Sequence, residues 1–436
     1  MINYLHQSSL RKYSYLSSDF NNPVFYFFLF SFLTFLISCS PTERFTKNEE
    51  RTDIATTTNE SSLKSSELRV LLSDLRANEA IKVDSPSYLY DEDKKLILVE
   101  SGTRVNCFVI NGIINLFFDG NNLAAKRFFL VSAENDGMVK INGYNYRGKI
   151  QISSSENSIH LINIISLEDY VKGVLAKEMP TGQGNENFEA LKALAVCIRT
   201  YAVKKLQNGN IYFDLYADTR DQVYGGLDSE NEITNKAVDE TKSMVLKYSN
   251  AIATLYYHST CGGYTESSEN VFTKEALPYL QSIKDGENPY CKISPRFKWE
   301  EKYSKEEIIN RLKDYGLLND DYYSLEDFSV VGRYKSGRVS ELEIRVNDEN
   351  DNEKILTLKG NEIRSILRTS DNKSILWSTM FDVSMNSNSI TLTGNGFGHG
   401  VGLCQWGAIA MSKKGKNFDE ILQHYYPGTQ LSKLND

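Results

Sequence analysis

The sequence predicts an α+β fold, rich in β structure, in which a helix pair sits at a cleft between lobes. Three observations predict it. Short β-like runs separated by turn dipeptides occupy Leu68 to Ile165. Two helical stripes follow within Ser166–Tyr201 (SLEDYVKGVLAKEMPTGQGNENFEALKALAVCIRTY). A tract of alternating glycines, Ser389–Leu403 (SITLTGNGFGHGVGL), lies near the carboxyl end.

The chain has 436 residues, more than one typical domain, so two or more lobes with their own cores are expected. An apolar fraction of 41% and a charged fraction of 24% are those of a globular protein. Abundant Tyr (26) and Phe (21) suit a β-rich protein with a sugar-binding cleft. The net charge of −8 argues against a dedicated nucleic-acid binder, which carries a basic face.

The amino terminus bears on the compartment. Arg11 and Lys12 precede an apolar run, Val24 to Ile37, that is short for a transmembrane helix and typical of a signal peptide. It ends in Leu36-Ile37-Ser38-Cys39, which resembles a bacterial lipobox. Residues 1–38 are therefore expected to be a lipoprotein signal peptide, with Cys39 lipidated and acyl chains holding the protein to a membrane. A plain signal peptide or an anchor helix is the alternative. Residues 39–66 are polar, aperiodic and rich in Thr, Ser and Glu, and read as a flexible tether. Of the other cysteines, Cys261 and Cys291 lie in loop-like contexts near Gly or Pro, where an exported protein could bond them. Cys197 falls in a helical pattern and reads as a small buried residue.

Residues 67–135 are expected to form an amino-terminal β-rich region and 136–430 the main domain. Predicted strands are Leu68–Leu72, Lys95–Glu100, Val105–Ile110, Ile114–Phe118, Met138–Ile141, Tyr146–Ile152 and Ile159–Ile165. After the helix pair come a helix at Glu232–Thr241 and a strand at Ile252–His258. An α+β section follows at about 299–381, with a helix at Lys305–Asp314 and a short one at Gly360–Leu367. Beyond it, Gly394, Gly396, Gly398, Gly400 and Gly402 alternate. In an extended segment this would place Asn395, Phe397, His399, Val401 and Leu403 on one face. The spacing is not GxGxxG and no βαβ unit surrounds it, which excludes dinucleotide binding. Two helices close the chain, Cys404–Lys414 and Asn417–Tyr426.

The helix pair holds the candidate chemistry. At 100° per residue, Leu167, Tyr170, Val171, Val174 and Leu175 form an apolar stripe, and Glu178 falls near its middle. A carboxyl group where a core residue belongs suits a general acid, because burial favours its protonated form. The alternative is a Glu past the helix end, turned to solvent by Pro180. On the second helix Lys192 and Arg199 line up beside the stripe of Phe188, Leu191, Ala195, Ile198 and Ala202. They read either as cations flanking a cleft or as snorkelling side chains.

These residues resemble the stage II sporulation protein D family, whose relatives include amidase enhancers. The resemblance is carried by Tyr170-Val-Lys-Gly-Val-Leu-Ala-Lys-Glu178-Met-Pro180, Glu189-Ala-Leu-Lys192, Arg199-Thr-Tyr201-Ala202 and Asp218-Thr219 with Gln222-Val-Tyr-Gly-Gly226. It continues in His258-Ser-Thr260 with Gly262-Gly263, in Gly396-Phe-Gly-His399-Gly-Val-Gly402-Leu-Cys-Gln405-Trp-Gly407, and in Tyr425-Tyr-Pro-Gly-Thr429. The resemblance implies a peptidoglycan lytic transglycosylase acting on glycan strands stripped of stem peptides, with Glu178 as catalytic acid. Lys192, Arg199, Tyr201, His399 and Gln405 are then expected to bind substrate. For His399 a structural role capping the glycine-rich turn is equally compatible. Some members bind zinc through Cys and His in the segment corresponding to Tyr212–Gln222; here YFDLYADTRDQ has neither. His258 and Cys261 alone are too few ligands, so no metal is expected.

The expected protein is thus a membrane-anchored envelope enzyme without a cofactor. Its expected partners are peptidoglycan and a cell-wall amidase, and not nucleic acid. A non-catalytic glycan-binding activator of such an amidase is the first rival. A water-using hydrolase with Asp218 or Asp221 as second carboxylate is another.

Overall fold

The computed structural model describes residues 67–76, 79–134, 136–155, 158–207, 211–273 and 275–434. The expected signal peptide, Cys39 and the tether lie outside the described residues. No described helix is long and apolar enough to cross a membrane.

The fold is α+β. A seven-stranded sheet runs in the order Leu215–Tyr216, Leu68–Arg76, Ser158–Ile165, Lys149–Ser155, Arg127–Ser132, Ser87–Asp91, Leu96–Val99. A four-stranded sheet (Ala80–Lys82, Arg104–Ile110, Ile113–Phe118, Asn121–Ala125) packs with it around Ile81, Val105, Leu116, Leu130 and Ile152. Strands from both sides of residue 135 share the larger sheet, so this β lobe continues to Ile165. The turns obey their residues: Asn111-Gly112 and Asn142-Gly143 both take positive φ, as tight hairpins require. Arg127–Ser132 and Ser87–Asp91 were not predicted as strands.

The helices are α1 (Leu167–Glu178), α2 (Phe188–Gln207), α3 (Glu232–Glu240), α4 (Lys305–Asp314), α5 (Glu362–Leu367), α6 (Gln405–Lys413) and α7 (Phe418–Tyr425). Helix α1 begins where Ser166 Oγ accepts from the Asp169 amide at 3.2 Å, a cap worth about 1 kcal/mol. It ends at Met179, whose extended backbone (φ −143°) is the conformation that Pro180 imposes on its predecessor. The stripes of α1 and α2 meet in a core with α6 and α7 that includes Tyr170, Val174, Leu194, Ile198, Leu403 and Tyr426. Cys197 is fully buried there. Helix α4 matches its predicted span because a Ser304–Glu307 capping box punctuates it. With α5 and the sheet Tyr323–Arg333, Val339–Asp348, Glu353–Lys359 it surrounds a separate core.

The glycine tract is not an extended strand. Strand Ser389–Asn395 stops at Asn395, and Gly396, Gly398, Gly400 and Gly402 then take φ from +71° to +110°. The segment winds against Tyr257–His258, which pairs in parallel with Leu403–Cys404. The expected continuous strand from Asn395 to Leu403 is therefore broken by bends, with Phe397 bridged to Thr260 and Val401 to Glu266. At Gly402 (φ +71°) an added Cβ would collide with the Tyr256 carbonyl oxygen. Gly402→Ala should lower the unfolding free energy by about 2–5 kcal/mol, from left-handed strain plus overpacking; urea titration would measure it.

Candidate active site

Glu178 is the last residue of α1 and is 5% exposed. Its carboxylate oxygens face donors from distant segments: the Val223 amide to Oε1 at 3.2 Å, and Gln405 Nε2 to Oε2 at 3.2 Å. Both donors are brought there by close backbone packing. Gly173 leaves room on α1 for the Tyr224 ring, and Gly173 O accepts from the Gly225 amide at 3.0 Å. The Tyr224 ring also stacks on Tyr170 at 5.3 Å, and these contacts seat residues 222–226 on the helix. Gln405 opens α6, directly after Cys404, whose Sγ accepts from the Gly407 amide as the helix cap.

Glu178 lines a recess of about 60 Å³ together with Tyr201, Asp221, Gln222, Tyr256, Phe272 and His399, among others. Its walls come from the helix pair, residues 219–223, 256–257, 272 and the glycine tract, and not from the β lobe. Behind it, Tyr170 Oη donates to Gln222 Oε1 (3.1 Å) and Gln222 Nε2 to Tyr257 Oη (3.0 Å). Tyr256 and Phe272 stack at 4.2 Å. Neither aromatic was expected at the site. The run Ile252–His258 read only as a strand, although its paired tyrosines were a signal.

Of the expected site residues, Tyr201, His399 and Gln405 gather at Glu178. Tyr201 Oη donates to Asp221 Oδ1 at 2.6 Å. Burial first, then the Asp221 charge, push the Tyr201 phenol far above its usual range, so it stays protonated. Asp221 also accepts from the Tyr216 amide (2.9 Å) and pairs with Lys205 (2.8 Å). Its oxygens are thus committed to holding this loop. Asp218 is half exposed and paired with Arg220 at 2.6 Å. His399 Nδ1 accepts from the Val401 amide (3.1 Å), which leaves Nε2–H to donate to Tyr257 O at 2.9 Å. With both nitrogens used, His399 pins the glycine tract beside the recess.

Burial above all, then the Arg364 charge, lower the His399 pKa to about 3. The folded protein keeps it neutral while the unfolded chain protonates near 6.5. The stability this supplies is complete above pH 6.5 and is lost as pH falls towards 3. The advantage of wild type over His399→Gln should shrink by about 2 kcal/mol from pH 7 to pH 5 in paired urea titrations.

Lys192 and Arg199 do not line the recess. Lys192 Nζ pairs with Glu189 at 2.5 Å and sits over the Phe418 ring at 4.9 Å. Arg199 is fully buried and forks onto Glu168, with Nη2 to Oε2 at 2.7 Å and Nε to Oε1 at 3.0 Å. Its Nη1 also donates to Met244 O at 3.1 Å. The helical wheel placed both at the edge of a stripe, but α3, α7 and the start of α1 cover that edge.

One cysteine expectation is also corrected. Cys261 and Cys291 are separate thiols with Sγ atoms 3.4 Å apart, beyond the ~2.05 Å of a disulfide. Cys404 and Asp285 converge on this pair, and His258, the residue weighed with Cys261 as a ligand, is not among them.

Comparison with known proteins finds relatives of this chain. The family described as Stage II sporulation protein matches residues 155–248, and a domain of unknown function matches residues 291–402. The chain is 33% identical to the stage II sporulation protein D of Bacillus subtilis over 62% of its own length and 76% of that protein's. It is 32% identical to an uncharacterised protein of Brachyspira hyodysenteriae, covering 84% of this chain and 93% of the other. It is also 32% identical to the Bacillus subtilis amidase enhancer, over 60% of this chain but only 40% of that longer protein.

Proposed function

Because the chain belongs to the stage II sporulation protein D family, we propose that it is a lytic transglycosylase cleaving peptidoglycan glycan strands at the cell envelope. It would be anchored through a lipidated Cys39. The observation that carries this reading is Glu178, a buried carboxyl at the base of a recess whose neighbouring carboxylate, Asp221, is committed elsewhere. A hydrolase needs two carboxyl groups flanking the bond. A transglycosylase needs one, because the substrate supplies the nucleophile.

In this reading Glu178 gives its proton to the glycosidic oxygen as the bond to the anomeric carbon of N-acetylmuramic acid breaks. The C6 hydroxyl of the same sugar bonds to that carbon, and the Glu178 carboxylate takes the hydroxyl proton. The acid is restored, no water is consumed, and the strand ends in a 1,6-anhydro ring. Gln405 and the Val223 amide orient the carboxyl and hold its charge after the first transfer. Tyr201, its proton directed at Asp221, lines the recess and would meet the glycan as a hydrogen-bond acceptor. A recess of about 60 Å³ takes a reacting oxygen and its neighbours, and the glycan would lie across its mouth.

The test is mass spectrometry of products from purified glycan strands with and without stem peptides. Anhydro ends support this reading and reducing ends support hydrolysis. The name of one relative, amidase enhancer, favours one second reading, a glycan-binding activator of an amidase. Binding without cleavage would establish that instead.

A further inference from the structure

Cys261, Cys291, Cys404 and Asp285 are all buried, and one ligand atom from each lies within 4.8 Å of all the others. We infer that these four residues form a closed, tetrahedral Cys3Asp site for a thiophilic divalent cation of the zinc class. The site is distinct from the recess at Glu178 and stands whichever reaction that recess performs.

The sizes agree. Ligands about 2.3 Å from a tetrahedral metal are roughly 3.8 Å from one another. Here the nearest sulfur pair is 3.4 Å apart and no ligand pair exceeds 4.8 Å. A disulfide does not account for the convergence, since bonding any two sulfurs leaves the third sulfur and the Asp285 carboxyl outside the bond though equally close. A four-coordinate cation uses all of them.

The surroundings are those of thiolate ligands. Three backbone amides point at sulfur: Cys261 N at Cys404 Sγ (3.2 Å), Gly407 N at Cys404 Sγ (3.4 Å) and Gly263 N at Cys261 Sγ (3.4 Å). Cys404 also caps α6, where the helix dipole favours negative charge. Asp285 is held by the Tyr425 hydroxyl at 2.7 Å and the Cys291 amide at 2.8 Å. These are the outer contacts that orient a ligating carboxylate. An added Cβ at Gly407 would run into Tyr425 Oη and Asp285, so α6 can approach this closely only with glycine there.

The ligands come from separate segments, with Cys261 and Cys404 143 residues apart. The ion would tie the loop after Tyr257–His258, the turn Tyr290–Ile293 and the start of α6 into one unit. It would therefore position Gln405, the neighbour of Cys404, over Glu178.

Elemental analysis of the full chain, purified under reducing conditions without chelator, should find about one zinc per chain. Protein stripped with chelator and reloaded with Co(II) should show a sulfur-to-cobalt charge-transfer band and a raised melting temperature. Cys404→Ser should lose the band, and Cys107→Ser, whose thiol is buried in the β lobe, should keep it. Folded wild-type protein that binds neither zinc nor cobalt through sulfur would overturn the inference. So would a mass spectrum showing a Cys261–Cys291 disulfide in that metal-free, folded protein. Because the cobalt titration uses the wild-type chain, it decides even if Cys404→Ser fails to fold.

Discussion

Glu178→Gln should slow release of anhydro products by about 10²- to 10⁴-fold, the usual contribution of a positioned acid–base group. The change keeps the shape of the side chain and removes its titratable proton. Gln405 Nε2 can still donate to the new amide oxygen, while the Val223 amide then faces the NH2 group and loses its acceptor. The stability cost is accordingly about one hydrogen bond, near 1 kcal/mol. Anhydro-product release measured by mass spectrometry, beside a thermal melt, separates the two effects. Release at the parental rate from Glu178→Gln would remove Glu178 as the acid. A loss of rate matched by a collapse of the melt would mean that the residue serves packing alone.

Arg199→Ala should destabilise the protein by about 3–5 kcal/mol, the cost of breaking a buried ion pair from one side. Arg199 is fully buried, bidentate to Glu168, and donates to Met244 O. Glu168 Oε1 also accepts from the Ser243 amide at 3.0 Å. The guanidinium therefore clamps the start of α1, the middle of α2 and the strand Met244–Tyr248. Removing it strands the Glu168 charge and opens a cavity among these elements. Denaturant titration gives the loss directly. If instead Arg199→Ala kept its stability and raised only the KM for glycan, Arg199 would contact substrate and the clamp would be refuted.

Features governed by near neighbours were legible in the sequence. The α1 and α2 stripes, the α4 span and the Asn-Gly turns all rest on residues close in sequence. The glycine tract misled because a period of two also fits a bent segment with positive φ at every second residue, and only packing against Thr260 and Tyr256 distinguishes them. Lys192 and Arg199 misled because a helical wheel shows which edge a cation occupies and not which carboxylate waits there. The arginines Arg338 and Arg364, both buried, had no sequence signal: Arg338 donates to the carbonyls of Cys261 and Tyr264, 77 and 74 residues away, and Arg364 to Leu376 O.

By itself the sequence determined that a carboxyl group closes an apolar helical stripe just before Pro180, and that motifs in family order surround it. Helix periodicity and the proline's restriction on Met179 act within a few residues, so they can be read without a fold. Only the tertiary structure decided what Glu178 meets. Gln405 is 227 residues away, the Val223 amide 45, and Asp221 turns out to be engaged by Tyr201, Tyr216 and Lys205. The convergence of three cysteines and Asp285 belongs to the same class. Such contacts depend on how α1, α2 and α6 pack, and packing is set by shape complementarity across the whole core.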